Sequence, residues 1–153
     1  MLSTKSGFTI FELVIVIGII AVISLFTISF APKTINRVEL YTTTKEVVQA
    51  IKSSQNNSRN NFQNQNNGIY FTNQNYTIFS GNSYNPLNET NQTTELPTGV
   101  SISNIQLGGS NTTIIFEKFT GQPDTTGTIT IGNANNYTTI SLDTNGLITV
   151  NYQ

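Results

Sequence analysis

Side chains able to do chemistry are scarce in this chain. It contains no histidine and no cysteine. Histidine is the commonest general base near neutral pH and the commonest transition-metal ligand, and cysteine supplies thiolates and disulfides. Without them, catalysis would need carboxylates, or a serine or threonine activated by lysine. The chain carries 8 acidic and 7 basic residues among 153, for a formal net charge of -1. The carboxylates of its polar part are scattered, and no recognised motif joins them, so no enzyme is expected. Asp143-Thr144-Asn145-Gly146 offers oxygens of the kind calcium takes, but it lacks the further acidic ligands of a dedicated loop. A hairpin turn is the expectation there, and no metal or cofactor is expected.

One carboxylate stands apart. Glu12 heads a long apolar run, just after Gly7-Phe8 and a short polar leader containing Lys5. A carboxylate at the centre of a bilayer-spanning helix costs about 2.5–3.5 kcal/mol on insertion scales. Such a group is kept for a partner, and nothing nearby in the sequence supplies one. Glu12 therefore reads as functional, with its partner outside this chain.

Gly7-Phe8-Thr9-Ile10-Phe11-Glu12 resembles the processing site of type IV prepilins and pseudopilins. The resemblance rests on four features together: the short leader, the Gly-Phe step, the spaced glutamate and the continuous apolar segment. It implies that a prepilin peptidase cuts between Gly7 and Phe8 and that Phe8 becomes an N-methylated first residue. It also implies that Glu12, with Thr9, serves assembly. In a filament Glu12 would meet the amino terminus of Phe8 on a neighbouring subunit. An opposite charge at hydrogen-bonding distance in a low-dielectric site offsets much of the burial cost, and only one stagger brings the two together. Implied partners are the prepilin peptidase/N-methyltransferase, other pilin or pseudopilin subunits and an inner-membrane assembly platform.

These residues need an element to carry them. Leu13 to Ala31 is apolar apart from Gly18, Ser24, Thr27 and Ser29. As a helix it extends about 28 Å, close to the ~30 Å hydrocarbon core. It is too long for the apolar part of a secretory signal and no Ala-x-Ala-like site follows. A membrane-spanning, assembly helix is expected over residues 8–31, after a leader over residues 1–7. Charge does not orient it, because Lys5 precedes the run while Lys33 and Arg37 follow it. The resemblance does: leader in the cytoplasm, inner membrane crossed once, bulk of the chain outside. Pro32 removes an amide donor and is expected to kink the helix.

Beyond Pro32, Leu40, Val47, Val48 and Ile51 fall at helical spacing beside Tyr41 and Thr44. This predicts an amphipathic continuation over residues 32–54. The Asn- and Gln-rich stretch 55–67 reads as a loop ending in the Asn67-Gly68 turn. The remainder, residues 55–153, reads as a β-rich domain. Strands are expected near 69–72, 76–80, 99–107, 112–118, 127–131, 137–142 and 147–152, from β-branched enrichment and alternation such as Ile129/Ile131 and Ile140/Leu142. A slip in alternation predicts a bulge or change of sheet near Asn104. Residues 84–97, with Pro86 and Pro97, read as an exposed loop.

The fold class expected is therefore α+β. A long N-terminal helix, membrane-spanning in its first half, packs its outer half on an antiparallel sheet or small β-sandwich, as in pilins. With no cysteine, the domain must hold together without the disulfide that many pilins carry. Leu96-Pro97-Thr98-Gly99-Val100, Ile114 to Gly121, Gly127 to Ile131 and Ile140 to Val150 resemble the H-type minor pseudopilins and their pilus counterparts, the GspH/FimT group. That likeness implies a minor structural subunit of a type IV pilus or type II secretion pseudopilus. Leu147 departs from it, since relatives place a basic residue after the glycine. A DNA-uptake pilin would need a basic patch, and Arg37, Lys45, Lys52, Arg59 and Lys118 suggest solvated helix faces rather than one. Nucleic acid is not among the expected partners. An adhesin would need stacking faces, for which Tyr70, Phe71, Tyr76, Phe79 and Tyr84 are the candidates, although core packing explains most of them more simply.

Overall fold

The computed structural model describes residues 7, 9–60, 62–108 and 112–153, with the side chains of residues 25–35 and 62 left aside. Helix α1 runs Ile10–Arg59 and a short 3-10 turn covers Phe62–Asn64. Eight strands follow: β1 (Asn67–Phe71), β2 (Asn75–Ser80), β3 (Gln92–Glu95), β4 (Ser101–Leu107), β5 (Thr113–Phe116), β6 (Gly127–Gly132), β7 (Tyr137–Leu142) and β8 (Ile148–Tyr152). They form two four-stranded antiparallel sheets, ordered β3-β2-β1-β5 and β4-β6-β7-β8. The chain divides into two compact units, Met1–Asn36 and Arg37–Gln153.

The expected membrane-spanning helix is overturned. Among the described residues, no helix is long and apolar enough to cross a membrane. The part of α1 up to Asn36 belongs to the first unit, and the part that packs on the sheets belongs to the second. Of the two arrangements expected for the β-part, a single sheet or a small sandwich, the chain has two antiparallel sheets that share the core. Pro32, the expected kink, lies outside the residues whose side chains are described.

Within the second unit, the helix presents one buried stripe. Leu40, Thr43, Thr44, Val47, Ala50, Ile51, Ser54, Gln55 and Ser58 are all buried, at the three- and four-residue spacing of a single face. Leu40, Val47 and Ile51 join Ile69, Phe71, Ile114 and Phe116 of the first sheet and Ile102, Ile129, Ile131 and Ile140 of the second in one core. Alternation decides which strand residues enter it. In β6, Ile129 and Ile131 are buried, and Ile129 stands opposite Ile140 of β7. In the first sheet Ile69 stands opposite both Ile78 and Ile114.

The helix runs past Ser54 into the stretch expected as loop. Its last turns hold by polar contacts rather than apolar ones. Gln55 Nε2 donates to the carbonyls of Gly121 and Gly146, each at 3.1 Å. Ser58 Oγ donates to the Phe116 carbonyl at 2.9 Å and accepts from the Asn67 amide at 2.8 Å. Arg59 Nε donates to the Thr120 carbonyl at 3.2 Å. These bonds tie the helix end to both sheets without any covalent link. Positive φ at Gln63 and Asn64 (58° and 54°) turns the chain toward β1.

Gln55→Ala is expected to destabilise the chain by about 2–3 kcal/mol, since two carbonyls at a buried site lose their donor. Chemical denaturation of the full chain followed by circular dichroism measures it. A change within about 0.5 kcal/mol, the range of an ordinary surface substitution, would show that the latch adds nothing.

Strand β3 lies where an exposed loop was expected. All four of its residues are exposed, and it pairs with β2 at the sheet's edge, where Thr77 Oγ1 and Thr93 Oγ1 lie 2.8 Å apart. An edge strand with no apolar position has no alternation to reveal it. The irregularity expected near Asn104 is a bulge: the β4–β6 register shifts between Ile102 and Asn104.

Candidate functional site

The site expected from the sequence sits at the start of α1. Gly7 is exposed, and no atom lies within 4 Å of where a Cβ would stand. Phe8 lies outside the described residues. Thr9 starts the helix: its Oγ1 accepts from the Glu12 amide at 3.2 Å, and its carbonyl accepts from the Leu13 amide at 3.2 Å. This is the N-cap arrangement, in which a threonine hydroxyl satisfies one of the amides the helix start leaves open.

Thr9-x-x-Glu12 has the spacing of a capping box, whose glutamate sits three residues after the cap. Glu12 is the acidic residue of the first turn, where the helix dipole favours negative charge. The local role of Thr9 is thus legible in the sequence, but an assembly reading of Thr9 passes over it. Glu12 is exposed, with a carboxylate at a defined place on a fixed first turn.

The surface beside that carboxylate is apolar. Ile10 is 85% exposed and Phe11 76%, and the large apolar side chains from Leu13 to Ile23 are exposed as well. In water such a surface is costly, at roughly 25 cal/mol per Å². Large contiguous apolar surface of this kind marks an interaction site. The first unit therefore brings together an accessible Gly7, a capped helix start, a single carboxylate and uncovered apolar surface.

The rival sites come out differently. Phe71, Tyr76 and Phe79 are buried. Tyr70 and Tyr84 stack on each other, with centroids 4.2 Å apart and an 8° interplanar angle, and Phe79 meets Tyr84 edge-on at 5.6 Å. These rings spend their faces on the core or on one another. Among the basic residues, Arg59 belongs to the helix latch and Lys118 Nζ lies 5.6 Å from the Phe119 ring centroid. Lys45 Nζ lies 4.3 Å from the Tyr41 ring centroid, and its hydrogen bond with Tyr41 holds the ammonium above the usual lysine value. Tyr41 in turn packs on Tyr152 at 5.2 Å.

The Asp143 turn is closed on itself. Asp143 Oδ1 accepts from the amides of Asn145 and Leu147, at 2.9 and 2.7 Å, and its carbonyl accepts from Gly146 at 3.0 Å. One carboxylate oxygen thus organises the turn between β7 and β8. No protein-family model, curated protein or solved structure matches the chain.

Proposed function

We propose that the chain is a structural subunit of minor pilin or pseudopilin type, GspH/FimT-like, belonging to a type IV pilus or a type II secretion pseudopilus. A prepilin peptidase of the inner membrane cuts after Gly7 and methylates the new amine of Phe8. An assembly platform then passes the subunit into a filament, and the β-rich unit lies on the extracytoplasmic side. One observation carries this reading. An accessible Gly7 is followed at once by a capped first turn bearing a lone carboxylate beside uncovered apolar surface. Each part has a use in the filament. The open backbone admits a peptidase, the cap fixes where the helix begins, and the apolar surface is covered by equivalent segments of other subunits. The carboxylate takes the freed amine of a neighbour. Cleavage comes first, since it creates that amine.

Intact mass and amino-terminal sequencing of the protein from its own cell envelopes test the reading. The expected chain begins at N-methyl-Phe8, and Gly7→Val is expected to leave Met1 in place by filling the open position at the cut. A wild-type chain still beginning at Met1, in cells with an active prepilin peptidase, overturns the proposal.

A further inference from the structure

The second sheet carries no charged side chain on any of its four strands. Its inward positions are chiefly the isoleucines and leucines of the core, with Thr138 also buried. Its outward positions are neutral hydrogen-bonding groups, ranked across the strands: Thr128 stands opposite Ser141, Thr130 opposite Thr139, and Gly132 opposite Tyr137. In a chain whose helix bears Arg37, Glu39, Lys45, Glu46, Lys52 and Arg59, this is a sharply segregated face.

One end of that face is concave. A cleft of about 590 Å³ opens where β4 begins and β6 turns into β7, lined among others by Ser101, Thr130, Gly132, Asn135, Asn136 and Tyr137. Its volume lies within the ~300–1,000 Å³ of small-molecule sites, and its lining side chains are mostly hydroxyls and amides, with Ala134 and the Tyr137 ring as the apolar exceptions. The turn is held from within. Asn133 Oδ1 accepts from the amides of Asn135 and Asn136, both at 3.0 Å, and the Asn133 amide donates to the Asn136 carbonyl at 2.9 Å. The side-chain amides of Asn135 and Asn136 take no part in those bonds. Tyr137 is 48% exposed, and its hydroxyl donates to Gln153 Oε1, which fixes the ring. Across the strand pair stands Gly132, which has no side chain to cover that ring.

We propose that this cleft binds a neutral oligosaccharide, with Tyr137 as the stacking platform and Ser101, Thr130, Asn135 and Asn136 as the hydrogen-bonding groups. A pyranose presents an apolar C–H face and an edge of hydroxyls, each both donor and acceptor. A half-exposed aromatic ring answers the face, and hydroxyls and primary amides, which also donate and accept, answer the edge. The other ligand classes lack a counterpart. A phosphate or uronate polymer finds no cation among the residues lining the cleft, a charged peptide finds no opposite charge there, and a lipid finds only Ala134 and one ring. The proposal concerns the second unit only and does not rest on the filament reading.

The test uses the full chain, kept in solution by a detergent without a sugar headgroup. It is titrated by calorimetry with neutral trisaccharides of glucose, of mannose and of N-acetylglucosamine, and with trigalacturonate as the anionic comparison. At least one neutral trisaccharide is expected to bind with Kd of about 10 mM or tighter. The affinity is expected to fall about tenfold or more in Tyr137→Ala, and to stay within about threefold in Tyr137→Phe, which keeps the ring. Should Tyr137→Ala fail to fold, the pair Asn135→Ala and Asn136→Ala, on an exposed turn, carries the same expectation. Binding to none of the neutral trisaccharides overturns the proposal. So does tighter binding of trigalacturonate, or binding untouched by both sets of substitutions.

Discussion

Glu12→Gln is expected to cut incorporation into the filament by about a hundredfold or more while leaving the helix and both sheets intact. The helix start is held by the Thr9 hydroxyl, which accepts from the backbone amide of residue 12 whatever its side chain, so it survives the change. The charge does not survive it. In the proposed filament the freed amine of a neighbouring Phe8 is then buried without a partner, which costs about 3–5 kcal/mol, and each 1.4 kcal/mol is about tenfold in an equilibrium. The measurement is the share of subunit recovered in sheared filaments, beside a circular dichroism spectrum. Normal assembly of Glu12→Gln would show that the charge pairing is wrong.

Gly127→Ala should be the most damaging single-methyl change in the β-rich unit. Gly127 sits at φ +150°, a region side chains rarely adopt, and it pairs with Leu107 across the β4–β6 ladder. A Cβ there would overlap the Gln106 carbonyl oxygen and lie 2.9 Å from Leu107 Cα. Those atoms are backbone of the paired strand, so they cannot swing away as a side chain would. Strain of about 1–3 kcal/mol at such a φ adds to the cost of pushing β4 off its partner. A total of about 4 kcal/mol or more is expected, a large part of the ~5–15 kcal/mol that holds a domain together. Gly99 provides the comparison. It has φ +92° and open space around its Cβ position, so Gly99→Ala should show the backbone strain alone. Equal losses at the two positions, measured by denaturant unfolding, would show that the collision with β4 contributes nothing.

What the sequence reveals, and what it hides, follows from which force shapes each element. Where burial shapes an element, the pattern is on the surface of the text. Ile129, Ile131, Ile140 and Leu142 alternate because one side of their strands faces the core, and the slip beside Asn104 marks the bulge that restores that alternation. Where hydrogen bonds shape an element, hydropathy is silent. Gln55 and Ser58 continue the stripe begun by Leu40 and Val47, but they are polar, so hydropathy ends the helix early. Strand β3 is built from Gln, Thr and Glu and is held only by pairing with β2. The membrane-spanning expectation rests on composition alone, and among the described residues no helix is long and apolar enough to cross a membrane. The candidate site divides similarly. Gly7 and Glu12 are legible from residue type and spacing, whereas the Tyr137 cleft depends on register, because only the ladder places Gly132 opposite that ring.

The bond from Gln55 to Gly146 joins residues 91 apart along the chain. Its consequence concerns order in time. Closing a flexible loop of that length costs about 4 kcal/mol of chain entropy before any contact rewards it. The hairpins β1–β2, β6–β7 and β7–β8 close over a few residues each and face no such barrier. The Gln55 side-chain amide therefore lacks its second acceptor until the distant β7–β8 turn exists to supply it, whereas Ser58 reaches Asn67 only nine residues away. The Gln55–Gly146 bond is thus expected to be among the last contacts to set during folding and among the first to come loose when the domain opens.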